Sequence, residues 1–209
     1  MDDSVGQVLD YLKAEGLEEN TIVIYSSDQG FYNGEHGWFD KRWIYEESIH
    51  MPFLIRWPGV VKPGTRFTQM IQNIDYAATF VDIAGGKIPA GLHGRSFLPI
   101  LRGETPADWR KSIYYHYYDG GHSVAKHYGV RTDRYTLANF YESNEWELFD
   151  REKDPQELKS VYADPAYAKT VAELKTELSR LRAQYQDSDD IKPAARGPNQ
   201  NPNGKKKKS

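Results

Sequence analysis

The chain has 209 residues and contains no cysteine. Disulfides, thiolate metal sites and a cysteine nucleophile are therefore excluded for this chain. No apolar run approaches the length of a membrane span. The N-terminus, MDDSVGQVLDYLKAEG, lacks both the basic and the apolar segment of a signal peptide, and its apolar spacing instead predicts an amphipathic helix.

Charge gives little reason to expect a nucleic-acid partner. The net charge is −3, and the basic residues do not gather on one element before the last few positions. The lysine run Lys205–Lys208 lies in a polar tail, where such runs are usually solvated. We therefore expect neither a nucleic acid nor a membrane span.

The first half of the chain has the pattern of an α/β layer. Two short apolar runs, Thr21–Tyr25 and Pro52–Trp57, are typical of buried parallel strands. A helix is predicted over 73–86, with Asn73 or Asp75 as its cap and two glycines at its end. Helix, strand, loop, strand and helix in this order favour a mostly parallel sheet with flanking helices.

The pattern changes near residue 105 to short aromatic segments separated by turns. These predict a small antiparallel sheet, and an apolar stripe predicts a helix over about 165–186 that packs on it. We expect three regions: 1–104 as part of the α/β layer, 105–186 as a small α+β subdomain, and 187–209 as a disordered polar and basic tail. The predicted strands are 112–118, 127–131, 134–141 and 146–149.

The loop after the first apolar strand carries the residues best suited to chemistry. Asp28 and Gln29 offer two oxygens of the kind that calcium or magnesium binds, at a strand end where ligands are expected. Lys41, twelve residues after Gln29, offers a positive charge to an anion. The alternative is a turn stabilised by Asp28 with a solvated lysine nearby.

Several ordered motifs resemble the C-terminal part of type I sulfatases, in the alkaline phosphatase superfamily. They are the strand followed by Ser-Asp-Gln-Gly, then Gly-Glu-His-Gly, Lys41, Tyr-Glu-Glu-Ser, and Pro-Phe-Leu-Ile-Arg with Pro-Gly. GRSFLPILRG (Gly94–Gly103) and WELFDREKDPQELKSV (Trp146–Val161) also resemble this family. HYGVRTDRY is most similar to the bacterial N-acetylglucosamine-6-sulfatase-like and mucin-desulfating group.

The resemblance implies a fold and a set of residue roles. The fold would be the C-terminal part of an alkaline-phosphatase-like mixed sheet with flanking helices, followed by a small antiparallel sheet packed by a helix. Asp28 and Gln29 would be calcium ligands, and Lys41 would contact the sulfate. The implied activity is hydrolysis of a sulfuric ester on a sulfated sugar, with a formylglycine as nucleophile. Relatives of this kind are typically periplasmic, secreted or lysosomal.

The sequence also departs from the family pattern. The motif Cys/Ser-x-Pro/Ala-x-Arg, from which the formylglycine is made, is absent. The paired aspartates, lysine and histidines of the family's N-terminal half are absent as well. We therefore expect this chain to be a C-terminal fragment, inactive alone, whose partners are the missing half of the catalytic domain and a sulfated saccharide.

Four further residues are candidates for substrate contacts: His36, His116, His127 and Arg131. Each has an alternative role in packing or at the surface. Glu46 and Glu47 are interpreted as structural, because adjacent side chains diverge. Two other functions remain open, a non-catalytic carbohydrate-binding or interaction module and a phosphoesterase of the same superfamily.

Overall fold

A computed structural model of the chain describes residues 1–119 and 122–189. The elements, in chain order, are α1 (Asp2–Ala14), β1 (Val23–Ser26), α2 (Glu46–Ile49), β2 (Phe53–Arg56), α3 (Asp75–Ile83), α4 (Leu98–Leu101), β3 (Ser112–Tyr117), β4 (His127–Thr132), β5 (Tyr135–Phe140), β6 (Glu145–Asp150) and α5 (Ala168–Gln184). Short 3₁₀ turns lie at Glu18–Asn20, Glu35–Gly37 and Pro165–Tyr167. In the described ranges, no helix has the length and apolarity needed to cross a membrane.

The strands β1 and β2 form a two-stranded antiparallel sheet, with Val23 opposite Arg56 and Ser26 opposite Phe53. The prediction of two buried parallel strands was therefore wrong. A continuous apolar run does not fix strand direction, and the loop between the two strands returns the chain beside β1 in the opposite sense. Burial is also one-sided, since Phe53 packs inward while Leu54 is 66% exposed.

The inner side of this sheet is covered by the segment that follows α3. Phe97, Ile100, Leu101 and Trp109 form a buried cluster, and Phe53 and Ile55 of β2 pack against it. Burial of these apolar side chains is the main favourable term holding β2 against α4.

Asp75 at the start of α3 anchors the same region from inside. Its fully buried carboxylate accepts hydrogen bonds from the Arg110 guanidinium and from the backbone N–H groups of Gln72 and Arg95. The helix predicted over 73–86 is thus present as α3, over Asp75–Ile83. The prediction of Asn73 or Asp75 as its cap was wrong, because the N-cap is Ile74 and Asp75 lies in the first turn.

The strands β3 to β6 form an antiparallel meander in the order β3-β4-β5-β6. The helix α5 lies on this sheet, and its buried residues Leu174, Leu178 and Leu181 pack with Val130 and Leu137. The small antiparallel sheet covered by a helix is therefore confirmed.

The segment beyond residue 104 also packs on the first region, since Trp109 Nε1 donates to the Met70 carbonyl at 2.9 Å. The division between 1–104 and 105–186 stays a prediction. Asp187, where the predicted tail begins, is held in the small sheet: its carboxylate accepts hydrogen bonds from Tyr114 and Tyr118 and pairs with His116. The rest of the predicted tail from 190 onward, with Lys205–Lys208, lies outside the described residues.

Candidate functional site

The loop that follows β1 is fixed by one buried serine. Ser48 Oγ donates to the Lys41 carbonyl at 2.8 Å and accepts from Gln29 Nε2 at 3.1 Å, while the Gly30 N–H donates to the Ser48 carbonyl at 2.7 Å. Ser48 thus joins the two parts of the loop that carry the candidate residues. Apart from the Tyr-Glu-Glu-Ser motif, no pattern in the sequence indicates this role for Ser48.

Gly30 is required by the closeness of these two backbone segments. A Cβ at this position would lie 2.0 Å from the Glu47 carbonyl oxygen and 3.0 Å from that of His50. Because both neighbours are backbone atoms, only glycine permits this approach. The Gly of the Ser-Asp-Gln-Gly motif therefore allows the backbone after Asp28 to lie directly against the backbone of Glu47 and His50.

Asp28 and Lys41 meet as a direct ion pair. Lys41 Nζ donates to Asp28 Oδ2 at 2.8 Å, and the two side chains are 40% and 78% exposed, respectively. This hydrogen bond and the positive charge of Lys41 hold the pKa of Asp28 below its usual range. The Asn73 side chain donates to the Asp28 carbonyl at 2.9 Å and fixes the backbone there. The pair offers an ionised oxygen donor and an ammonium group side by side.

The donor types at this strand end fit a hard cation, but their number is small. Besides the Asp28 carboxylate, Gln29 Oε1 has no hydrogen-bond partner among the described residues, because Ser48 engages only the amide nitrogen. Within 1–119 and 122–189 no group of three or more His, Asp or Glu side chains could hold a metal ion. Calcium takes six to eight oxygens, so these two residues fit part of a site.

His36 lies in the same loop but faces its interior. Its Nε2 is 3.2 Å from Glu47 Oε2, and its ring stacks on Tyr45 with centroids 4.9 Å apart. Its backbone has φ of +54°. With these contacts the His36 ring supports the loop from inside. The Glu47 carboxylate is the partner of His36 in this contact.

His116 and His127 are buried in the small sheet. His116 Nδ1 lies 2.7 Å from Asp187 Oδ2, and its ring stacks on Tyr118 with centroids 3.6 Å apart. His127 Nδ1 donates to the Ala125 carbonyl at 2.8 Å, and burial lowers the pKa of His127 to about 4. Within the described part of the chain, no bond or ring contact joins either histidine to Asp28 or Lys41. The packing alternative therefore has more support for both residues.

Arg131 lies in a buried ion cluster and lines a cleft of about 1180 Å³ between β2 and the small sheet. Its guanidinium bonds to Glu46, and its Nη1 is 3.6 Å from Glu157 Oε1. Burial and the neighbouring Arg151 lower the pKa of Arg131 to about 10. Sequence reasoning missed Glu157, although it lies in the Asp-Pro-Gln-Glu-Leu part of a family-like segment.

The fold and this loop together resemble a class of hydrolases of the alkaline phosphatase superfamily. A solved sulfatase structure, described as a complex with its substrate D-glucosamine-2-N,6-O-disulfate, superposes with a TM-score of 0.87 at 44% identity, covering 91% of this chain and 40% of that chain. The phosphonate monoester hydrolase of Silicibacter pomeroyi superposes with a TM-score of 0.78 at 30% identity, covering 90% and 40%. The expected fold class is therefore confirmed.

A comparison with protein-family descriptions places the chain more specifically within this class. The family described as N-sulphoglucosamine sulphohydrolase, C-terminal, matches residues 34–184, and the chain belongs to it. This confirms the resemblance to sulfatases.

Two curated relatives show how much of a sulfatase the chain represents. The N-acetylglucosamine-6-O-sulfatase of Bacteroides thetaiotaomicron is 45% identical over 194 residues, which cover 90% of this chain and 35% of that protein. The N-acetylglucosamine-6-sulfatase of Capra hircus is 38% identical over 126 residues, which cover 59% and 22%. The chain thus spans about a third or less of the length of these relatives.

Proposed function

We propose that this chain is the C-terminal part of a sulfatase that hydrolyses a sulfuric ester on a sulfated sugar, with N-acetylglucosamine-6-sulfate as the candidate substrate. The names of the relatives and the substrate in the similar solved structure support this substrate class. The chain spans 35% of the length of the Bacteroides thetaiotaomicron relative. The proposal therefore concerns only the share of the active-site residues that this chain contains.

Within that share we assign Lys41 to the sulfate and Asp28 with Gln29 to a Ca²⁺ ion. The supporting observation is the 2.8 Å pair between Lys41 and Asp28, exposed at the end of β1. When bound, calcium would polarise the sulfate oxygens. Lys41 supplies a compact positive charge near the same oxygens. Ser48 holds the Gln29 amide and the Lys41 backbone in one arrangement.

The remaining parts of the reaction are assigned to residues outside this chain. The formylglycine nucleophile and the other calcium ligands would come from the N-terminal half of the family fold, which is the partner we propose. The chain alone is then expected to show no sulfate-ester hydrolysis and only weak calcium affinity. Nanomolar binding of calcium to the isolated chain, measured by isothermal titration, would contradict the partial site.

A chimera tests the role of Lys41. This chain would replace the matching segment of the Bacteroides thetaiotaomicron enzyme, and turnover of N-acetylglucosamine-6-sulfate would be measured. Lys41→Ala is expected to lower kcat by about 10²- to 10³-fold, as for loss of one preorganised charge-stabilising group. Lys169→Ala, at an 89% exposed position on α5, is the matched control and should leave kcat unchanged. Undiminished turnover in Lys41→Ala would refute the assignment.

The carbohydrate-binding alternative has less support from the described residues. A sugar platform needs free aromatic faces, whereas Tyr114 stacks on Tyr185, Tyr118 stacks on His116 and Tyr115 stacks on His127. For the phosphoesterase alternative, the same chimera would be assayed on a phosphate monoester and a phosphonate monoester. Turnover of these above that of the sulfate ester would favour it.

A further inference from the structure

The segment 42–47, directly after Lys41, lies against the small sheet. The Tyr115 hydroxyl of β3 donates to the Arg42 carbonyl at 2.5 Å, and the Tyr45 hydroxyl donates to Glu147 of β6 at 2.6 Å. Ile44 between them is fully buried. The sheet therefore determines where the chain runs as it leaves Lys41.

Among the hydrogen bonds of the described residues, Glu157 makes the one that joins the most distant positions in the sequence. Its Oε2 accepts the backbone N–H of Glu46 at 2.6 Å, across 111 residues of chain. Its Oε1 accepts the hydroxyl of Thr136 from β5. The Glu157 side chain is fully buried, with φ of +52° at its backbone. A buried acceptor with two such donors fixes the position of both.

The charge of Glu157 is balanced inside the same cluster. Its Oε1 lies 3.6 Å from Arg131 Nη1 and 3.8 Å from Arg151 Nε, and both guanidinium groups also bond to the Glu46 carboxylate. Two carboxylates thus face two guanidinium groups. Burial raises the pKa of Glu157, while the Thr136 hydroxyl and the two arginines oppose that shift. Removing this carboxylate would leave the Glu46 N–H without its acceptor.

We propose that Glu157 is a positioning residue for Lys41. It touches neither the proposed sulfate nor the proposed calcium, and it acts by holding the Glu46 backbone and with it the segment 42–47. Lys41 then stays beside Asp28 without relying on its own exposed side chain for alignment. This inference rests on the proposed role of Lys41 at the sulfate. The competing explanation is that Glu157 contributes only to overall stability.

Hydrogen–deuterium exchange on the 209-residue chain tests the holding of segment 42–47. Glu157→Met, which keeps length and removes both acceptors, is expected to speed exchange of peptides covering 42–47 by about tenfold or more, with α5 unchanged. Glu157→Gln keeps one acceptor and should restore most of the protection. Glu152→Met, at a 65% exposed position, is the matched control and should exchange as the unchanged chain does.

Two results would overturn the inference. Exchange in 42–47 could be the same in Glu157→Met as in the unchanged chain, or it could rise equally in α5. If Glu157→Met does not fold, Thr136→Val provides the milder test, because it removes only the hydroxyl that bonds to Glu157 Oε1. Faster exchange confined to 42–47 supports the inference, and a uniform or absent change refutes it.

A double-mutant cycle in the chimera asks whether Glu157 acts through Lys41. Glu157→Met should lower kcat about tenfold when Lys41 is present and less than about twofold in the Lys41→Ala background. If Glu157→Met lowers kcat by the same factor in both backgrounds, Glu157 does not act through Lys41. If Lys41→Ala alone leaves turnover unchanged, the proposed function of Lys41 fails, whereas the exchange result still decides whether Glu157 holds segment 42–47.

Discussion

Replacing Gly30 with alanine should separate Asp28 from Lys41 without touching either residue. The added Cβ would lie 2.0 Å from the Glu47 carbonyl oxygen, 2.9 Å from its carbon and 3.0 Å from the His50 carbonyl oxygen. All three are backbone atoms, so rotation of a side chain cannot relieve the contact. Reaching an ordinary separation requires the two backbone segments to move apart by about 1 Å or more.

This displacement is expected to lower both stability and activity. Overpacking of a tight contact costs about 1–3 kcal/mol of unfolding free energy. For a chain of this length, each kcal/mol lowers Tm by about 2–4 °C. In the chimera, a shift of about 1 Å between Asp28 and Lys41, the proposed calcium ligand and the proposed sulfate contact, is expected to lower kcat/KM by about 10²-fold.

The matched control is Gly6→Ala on α1, where nothing lies within 4 Å of the added Cβ. Alanine is the better helix former, so this change should raise stability by about 0.5–1 kcal/mol. Thermal unfolding measures both variants, and steady-state kinetics on N-acetylglucosamine-6-sulfate measures the chimera. The reasoning is refuted if Gly30→Ala shows the Tm and kcat/KM of the unchanged protein.

Two further predictions concern buried charge in the fold. Arg110→Ala leaves the Asp75 carboxylate buried without its guanidinium partner, so it should lower the free energy of unfolding by about 3–5 kcal/mol, measured by denaturant unfolding. Arg180→Ala, on the exposed side of α5, is the control and should lower it by under about 1 kcal/mol. Equal losses in the two variants would contradict the role of burial. The pKa of His127 is about 4 in the folded chain and about 6.5 when unfolded, so the unfolded state binds more protons between these values and stability should fall as pH drops from 6.5 to 4. His127→Phe should flatten that part of the stability profile, and an unchanged slope would count against it.

Local patterns predicted the spans of the secondary structure well. The apolar stripe over 165–186 gave α5, and the aromatic segments gave β3 to β6, because helix and strand periodicities are properties of neighbouring residues. The direction of β1 and β2 was not predictable in this way. Apolar runs of four or five residues look alike in parallel and antiparallel pairs, and the course of the connecting loop decides between them.

In the candidate site, too, some residues were predictable from local sequence patterns and others were not. Asp28, Gln29 and Lys41 were found from residue types and from family-like motifs, and the structure brings them together through Ser48. His116 and His127 show the opposite case, because the same residue type occurs in pockets and in cores. Their neighbours come from other strands, so the sequence alone left both roles open.

By itself, the sequence determined the family and the absence of a cysteine, and it identified the residues proposed to bind a cation and an anion. Only the tertiary structure decided that Lys41 meets Asp28 at 2.8 Å, that Gly30 must be glycine, and that Glu157 holds the backbone of Glu46 from 111 residues away. Motifs consist of residue types at short spacings, so they can be recognised from neighbouring positions in the sequence. Contacts between distant segments depend on how the loop and the small sheet pack, which no local pattern records.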